Sequence, residues 1–194
     1  NESIYYNVDK IHTAIAGNCR IRFQYAQWNV DKELVPRKGG QWYQVSPWSL
    51  AWDNENYYLI GYDSEDSKIK HYRVDKMQKI QMTDLLREGK EEYDSKNISG
   101  YSRRLFGMFG GETVNVTIEA ANEMAGIFID RFGSDIRLKK IDDGHFSVSV
   151  DVEVSPQFLG WVFALGSGVK STAPESIVQR MREEAKRLIE QYNY

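Results

Sequence analysis

The chain has 194 residues, of which 41% are apolar and 27% are charged, and its formal net charge is −3 at pH 7. This composition is that of a globular protein with room for two small domains, and it excludes an intrinsically disordered chain. A slightly acidic chain does not suit a protein that coats nucleic acid with general positive charge, so any anion-binding site must be local. Because the sequence has no run of about 18 apolar residues and no signal-peptide leader, we expect no membrane partner.

The residue types that catalysis and metal binding need are sparse. Cys19 is the only cysteine, so no intrachain disulfide forms, and a lone thiol fits a reducing, cytoplasmic environment. His12, His71 and His145 are scattered, and none has a second ligand at a metal-binding spacing. No phosphate-binding glycine motif and no nucleophile elbow occurs. We therefore expect no metal, no cofactor and no enzymatic activity.

The first 83 residues predict a helix followed by closely spaced strands. Apolar residues recur at helical spacing in residues 3–16, which predicts a short amphipathic helix. Residues 20–25 alternate between polar and apolar side chains, as in a half-buried strand. Short aromatic and β-branched runs then follow, separated by polar turns at residues 38–40, 53–56 and 63–67. Short strands with tight turns are typical of a small barrel or a strongly bent sheet.

The rest of the chain predicts a connection and a second domain. Residues 84–112 are charged and rich in glycine, without sustained periodicity, and we interpret them as the connection. Residues 113–194 predict strand, helix, strand, strand, helix, strand and helix, the order of a ferredoxin-like βαββαβ domain with an extra C-terminal helix. The predicted fold class is α+β, with four parts: a linker helix at 1–18, a barrel at 19–83, the connection at 84–112 and the ferredoxin-like domain at 113–194.

One stretch, residues 54–77, combines aromatic and basic side chains at unusual density. On an ideal strand His71 and Arg73 point to one side, and Tyr72 and Val74 point to the other, so the basic pair lies on an accessible face. Aromatic rings beside a guanidinium are what a nucleotide or oligonucleotide requires, because bases stack and phosphates pair with arginine. The alternative is that the tyrosines fill the core and that Arg73 pairs with Asp75 or Asp63.

Several motifs in this region and beyond it, taken in order, resemble the WYL domain of bacterial transcriptional regulators and its C-terminal extension. The central motif is Tyr57-Tyr58-Leu59, with Tyr57 in the place of the tryptophan that names the domain. The other segments that carry the resemblance to the WYL domain are Ile21 to Tyr25, Val45 to Leu50, Ile60 to Asp63 and Tyr72 to Met77. Those that resemble the extension are FGMFGGE, DRFG, Gly160-Trp161 and the helix after Pro174.

This resemblance implies a small Sm-like, SH3-type β-barrel that senses an effector, followed by a ferredoxin-like module associated with dimerisation and regulation. In the family a winged helix-turn-helix domain that binds operator DNA precedes both. The helix predicted at residues 3–16 is too little for such a domain, and the chain begins at Asn1 rather than at methionine. We therefore expect the regulatory part of a homodimeric regulator whose effector is a nucleotide or a single-stranded nucleic acid.

The expected ligand site centres on Arg73 and His71, which strand phase places together. Tyr58 or Tyr62 is the expected stacking partner. The resemblance adds three weaker candidates, namely Tyr25, Ser46 and Lys70. Ideal alternation places Lys70 on the face opposite Arg73 unless a bulge intervenes.

Two other functions stay open at the level of sequence. A metal-assisted nucleotide-processing enzyme, such as a phosphodiesterase or nuclease, would use Asp63, Asp75 and His71 with a divalent ion. A pure dimerisation module would leave the barrel without a ligand.

Overall fold

A computed structural model describes residues 2–193, so Asn1 and Tyr194, the outer ends of the expected ranges, lie outside the described residues. The fold is mixed α/β, with two antiparallel sheets in two compact units, and the first unit ends at Ser99 while the second begins at Gly100. The first unit contains α1 (Glu2–Ala16), β1 (Cys19–Trp28), β2 (Leu34–Pro36), β3 (Trp42–Asp53), β4 (Asn56–Asp63), β5 (Lys68–Arg73), β6 (Met77–Leu86) and α2 (Lys90–Ser95).

In the first unit β1 is the central strand of a six-stranded sheet. It pairs with β6 on one side and with β3 on the other, and β4 and β5 follow β3. β1 and β3 form a long hairpin in which Gln24 pairs with Trp42, whereas Ala26 already pairs with Pro36 of β2. The turn at Arg37–Gly40 therefore interrupts the hairpin, and it brings two basic side chains beside the sheet.

Helix α1 belongs to the core of the first unit. The expectation from sequence is a linker helix at residues 1–18. Ile11 and Ala14 have no exposed surface, and they pack in one cluster with Ile21 and Leu59. The amphipathic pattern explains this position, because the apolar side of the helix loses contact with water only by lying on the sheet.

The predicted barrel is not closed by hydrogen bonds. The edge strands β5 and β6 do not pair with each other in the described part of the chain; a turn at Val74–Lys76 joins them instead. The Asn7 amide donates hydrogen bonds to the carbonyl oxygens of Val74 (3.2 Å) and Met77 (2.9 Å). Because α1 holds the turn in this way, the chain crosses from β5 to β6 at the end of the sheet and does not extend the ladder there.

An aromatic cluster fills the middle of this core. Phe23 stacks on Tyr43 with ring centroids 5.6 Å apart, and the edge of Tyr72 meets Phe23 at 5.3 Å. Tyr25 completes the cluster from the next inward position of β1. The hydroxyl groups of Tyr43 and Tyr72 are buried and have no hydrogen-bond partner among the described residues. The predicted alternative, that tyrosines fill the core, therefore describes Tyr72.

The second unit contains the elements in the order that the sequence predicts. They are α3 (Tyr101–Arg104), β7 (Thr113–Ala121), α4 (Ala125–Phe132), β8 (Lys139–Lys140), β9 (His145–Glu153), α5 (Pro156–Ala164), β10 (Val169–Ala173) and α6 (Glu175–Gln191), where α3 precedes the predicted series. The sheet order is β10-β7-β9-β8, and all pairs are antiparallel. One face of the sheet packs against phenylalanines of α4 and α5, and Ser155 caps α5 by accepting a hydrogen bond from the amide of Phe158 (3.3 Å).

The expected connection, residues 84–112, is structured at both ends. β6 continues to Leu86, and α2 lies in the first unit. Phe106 is buried in the core of the second unit, where the guanidinium of Arg131 lies 4.1 Å from its ring. Within residues 2–193, no helix is both long enough and apolar enough to cross a membrane.

Replacing Tyr72 by Phe tests the aromatic core. Burial raises the pKa of Tyr72 above its ordinary value, so its burial contributes stability that is complete below about pH 10 and is lost as the pH rises above it. We expect Tyr72→Phe to raise the free energy of unfolding at pH 7 by about 1 kcal/mol, because the hydroxyl has no protein partner. We also expect the variant to lose less stability between pH 9 and 11, by about 1.4 kcal/mol in total over this range.

Urea denaturation at several pH values measures both effects. The exposed Tyr5, changed to Phe, serves as the matched control, and it should change neither quantity. A Tyr72→Phe protein that is clearly less stable than wild type at pH 7 would show that the hydroxyl forms a stabilising hydrogen bond, and it would contradict the prediction.

Candidate functional site

The register between β4 and β5 sorts the candidate residues onto two faces of the sheet. Directly paired residues share a face in an antiparallel sheet. The pairs on the outer face are Tyr58 with Arg73, Ile60 with His71 and Tyr62 with Ile69. The pairs on the opposite face are Leu59 with Tyr72 and Gly61 with Lys70. The outer face thus carries a row of three pairs, which we call the outer row, and four of the seven candidates belong to it.

Arg73 is held by a neighbouring carboxylate. Its Nε and Nη2 atoms donate to Oδ1 and Oδ2 of Asp75 at 3.0 and 2.7 Å, and both side chains are about one-third exposed, at 32% and 30%. The hydrogen bond to Asp75 raises the pKa of Arg73 above its usual value. The pairing that the sequence left open as an alternative is therefore present, and an anion that binds Arg73 must share it with Asp75 or displace that carboxylate.

Tyr25 reaches Arg73 from the central strand. Its hydroxyl accepts a hydrogen bond from the backbone amide of Arg73 at 2.9 Å, and burial raises the pKa of Tyr25. The guanidinium of Arg37, from the turn that interrupts the β1–β3 hairpin, lies 5.8 Å from the Tyr25 ring. Arg37 forms no ion pair within residues 2–193. We call Tyr25, Arg37, Tyr58, Arg73 and Asp75 the Arg73 cluster.

Tyr58 and His71 lie on the same outer face as Arg73. Tyr58 is directly opposite Arg73 and partly exposed; burial raises its pKa, and Arg73 counteracts part of this rise. His71 is half-buried one pair further along the row. The ladder therefore places Tyr58, His71 and Arg73 on one face of the sheet. Arg37 was missed, because nothing in the sequence shows that a turn twelve residues beyond Tyr25 folds back onto its ring.

Lys70 does not join the Arg73 cluster. It lies on the opposite face, where its ammonium group contacts Asp63 at 2.6 Å and also pairs with Asp66. Burial lowers the pKa of Lys70, but the hydrogen bonds to the two carboxylates outweigh this effect and raise it. No bulge interrupts the β4–β5 ladder, so strict alternation places Lys70 away from Arg73.

Ser46 and Tyr62 are covered by the chain that follows β6. The amide of Glu88 donates a hydrogen bond to Oγ of Ser46 at 2.9 Å, and Ser46 has no exposed surface. The backbone of Gly89 lies on the ring of Tyr62, which is 8% exposed. A Cβ atom on Gly89 would lie 2.0 Å from Cγ of Tyr62, and its φ of +78° also favours glycine. Neither candidate is accessible in this conformation.

The covering segment, residues 87–93, is fastened to Trp48. We call it the strap. The indole Nε1 donates to the carbonyl oxygen of Glu88 at 2.9 Å, the Arg87 guanidinium lies 4.0 Å from one side of the ring system, and Tyr93 stacks at 5.3 Å. Arg87 also donates to the carbonyl oxygen of Pro47 at 3.0 Å. No periodic pattern in the sequence marks the strap, because its contacts are made by backbone groups and single side chains.

The residues needed for metal-assisted hydrolysis lie apart. The Asp63 carboxylate pairs with Lys70 on one face, whereas His71 lies on the other face and Asp75 is bound by Arg73. Among the described residues, no group of three or more histidine, cysteine or acidic side chains is arranged to hold a metal ion.

Two family models match the chain. Residues 6–82 match the WYL domain. Residues 112–189 match the WCX domain. The WYL match lies in the first unit and the WCX match lies in the second. The Arg73 cluster and the outer row both lie inside the matched WYL range, and the strap begins just after it.

The chain was also compared with curated proteins and with solved structures. A search of curated proteins gives no match. Among solved structures, the chain is similar to proteasome accessory factor B/C (PafBC) of Arthrobacter aurescens, with 19% sequence identity and a TM-score of 0.40. The match covers 98% of this chain and 28% of that protein, so this chain spans little more than a quarter of its length.

Tyr25 and Arg73 should differ in their effect on stability. Tyr25→Phe removes the acceptor of the Arg73 amide and leaves a half-buried donor unpaired, so we expect the free energy of unfolding to fall by about 1–2 kcal/mol. Arg73→Ala removes only a partly exposed ion pair, which is worth less than about 1 kcal/mol. Urea denaturation of both variants measures the difference. A larger loss for Arg73→Ala would assign Arg73 a structural role.

Proposed function

We propose that this chain is the effector-sensing region of a WYL-family transcriptional regulator and that it binds a nucleotide or single-stranded nucleic acid at the Arg73 cluster. The observation that carries the proposal is that Tyr25, with the Arg37 guanidinium beside its ring, and Tyr58 both lie next to the Arg73–Asp75 pair. A planar guanidinium binds phosphate through paired hydrogen bonds, and an aromatic ring beside it offers a surface for a base.

The charges of the cluster favour an anion in a specific way. Asp75 compensates Arg73, but Arg37 has no carboxylate partner in the described part of the chain. A phosphate that approaches Arg37 therefore meets positive charge first, and Arg73 can then exchange its bidentate contact from Asp75 to the phosphate. This exchange conserves the number of charge-assisted hydrogen bonds on Arg73, so the cost of releasing Asp75 is small.

The wider frame of the proposal follows the resemblance. The strand order around β1, with α1 before the sheet and a turn before the last strand, supports an Sm-like module. The order β10-β7-β9-β8 with antiparallel pairing supports a ferredoxin-like module that dimerises. We propose that the regulator is a cytoplasmic homodimer and that its attached helix-turn-helix domain binds operator DNA. We also propose that the chain is not an enzyme, since the candidate metal ligands do not converge.

Replacing Arg73 by Ala should weaken binding without unfolding the protein. Loss of a charge-assisted contact to phosphate costs about 1.5–3 kcal/mol, which corresponds to roughly a tenfold to hundredfold rise in Kd. Fluorescence polarisation with a labelled six-residue oligothymidylate measures the affinity. The matched control is Arg180→Ala, which removes an exposed arginine of α6 and should leave Kd unchanged. Equal affinities for wild type and Arg73→Ala would refute this site.

Replacing Asp75 by Asn separates the sensor from the alternative enzyme. In the sensor, the neutral amide of the Asp75→Asn variant no longer competes for Arg73 with a full negative charge, so we expect the anion to bind up to about fivefold more tightly. In a metal-assisted nuclease, the same change would remove a metal ligand and abolish turnover. The test measures oligothymidylate affinity and incubates wild type and variant with cyclic dinucleotides and single-stranded DNA in Mg²⁺ or Mn²⁺. Turnover by wild type that Asp75→Asn lacks would establish the enzyme instead.

A further inference from the structure

The strap and the Arg73 cluster occupy opposite ends of the same outer row. Tyr58 and Arg73 form the pair at one end, and Tyr62 forms the pair at the other end, where the strap covers it. Between them lies the pair of Ile60 and His71. Four residues of an extended strand span about 13 Å, so the covered tyrosine is within reach of a ligand that is already bound at Arg73.

The side-chain hydrogen bonds that hold the strap are exposed or only partly buried. No residue of α2, which contains the last part of the strap, is buried. Burial lowers the pKa of Arg87, whose guanidinium lies on the Trp48 ring. The guanidinium donates hydrogen bonds to the carbonyl oxygen of Pro47 and to Oδ1 of Asn18, each at 3.0 Å, and it has no carboxylate partner within residues 2–193. The Glu88 side chain is half exposed, although it pairs with Arg20 and accepts a hydrogen bond from Ser64. Segments held by exposed polar contacts open at low free-energy cost.

The residues beneath the strap are suited to a nucleic acid. Tyr62 would offer a ring for a base, and Ser46 would offer a hydroxyl once its hydrogen bond from the Glu88 amide is broken. The base and phosphate of one nucleotide are too close together to reach Tyr62 and Arg73 at once, whereas a strand of several nucleotides reaches both. Stacking of a base on Tyr62 would compensate for part of what the strap contacts supply.

We propose that the strap is an autoinhibitory cover, and that an oligonucleotide bound at the Arg73 cluster displaces it to stack on Tyr62. This inference rests on the proposed function of the Arg73 cluster. It predicts two classes of ligand: a mononucleotide binds at Arg73 and leaves the strap in place, and a longer strand binds and opens it.

We expect Gly89→Ala to open the strap. The new Cβ would overlap the Tyr62 ring, and the positive φ of residue 89 disfavours alanine. We expect this variant to bind a six-residue oligothymidylate about tenfold more tightly than wild type, with unchanged affinity for thymidine monophosphate. Hydrogen exchange at residues 87–93 should be faster in the variant, and in wild type it should become faster when the oligothymidylate is added. The matched control is Gly126→Ala, where an added Cβ meets nothing within 4 Å.

Two further variants complete the experiment. Adding Tyr62→Ala to Gly89→Ala should remove the tenfold gain, because the uncovered ring is what the strand contacts. Tyr93→Ala removes the stacking on Trp48 alone, should give a smaller gain in the same direction, and serves if Gly89→Ala fails to fold.

The possible outcomes separate the two proposals. Faster exchange of the strap in Gly89→Ala or Tyr93→Ala without tighter oligothymidylate binding overturns the cover and leaves the Arg73 site intact. An equal gain in affinity for thymidine monophosphate also overturns the proposed cover, since the strap would then act on Arg73 rather than on Tyr62. Binding that is insensitive to Arg73→Ala, or no binding by any variant, overturns the proposed function and the cover with it.

Discussion

The antiparallel register between β4 and β5 is the constraint on which the candidate site depends. It places Leu59 opposite Tyr72 in the core, and the same alternation places Tyr58 opposite Arg73 on the outside. A shift by one residue would exchange these faces, moving Arg73 into the core and Tyr72 into solvent. The burial of Tyr72 against Phe23 therefore stabilises the position of Arg73, although the two side chains never share a face.

The elements with strong periodicity could be predicted from the sequence, and their packing partners could not. The spacing of Ile11 with its neighbours predicts a helix, but it does not predict that the helix packs on the sheet, because a pattern shows an apolar side and not what covers it. Likewise the sequence predicts that His71 and Arg73 share a face, since strand phase is local. The contact of Arg37 with Tyr25 depends on how the hairpin folds back, which no local pattern records.

The strap explains why residues 84–112 carry no periodic sequence pattern. Its attachment uses the amide of Glu88, the backbone of Gly89 and the ring of Trp48. None of these contacts requires a repeating apolar side chain, so the segment has the composition of a loop. Backbone hydrogen bonds and single aromatic contacts are specified by the surface that receives them, and that surface exists only after β3 and β4 have paired.

The pairing of Arg73 with Asp75 and the covering of Tyr62 by the strap serve the same physical end. Each of these contacts occupies a group that would otherwise be available to an anion or to an aromatic molecule. A ligand that offers only a phosphate replaces the first contact and gains little, because it trades one charge-assisted pair for another. A ligand that also supplies a base at the distance of Tyr62 replaces both contacts and adds the stacking energy. In the proposed site, selectivity for a strand over free phosphate follows from the groups already bound within the protein, because only the strand compensates for the loss of both contacts.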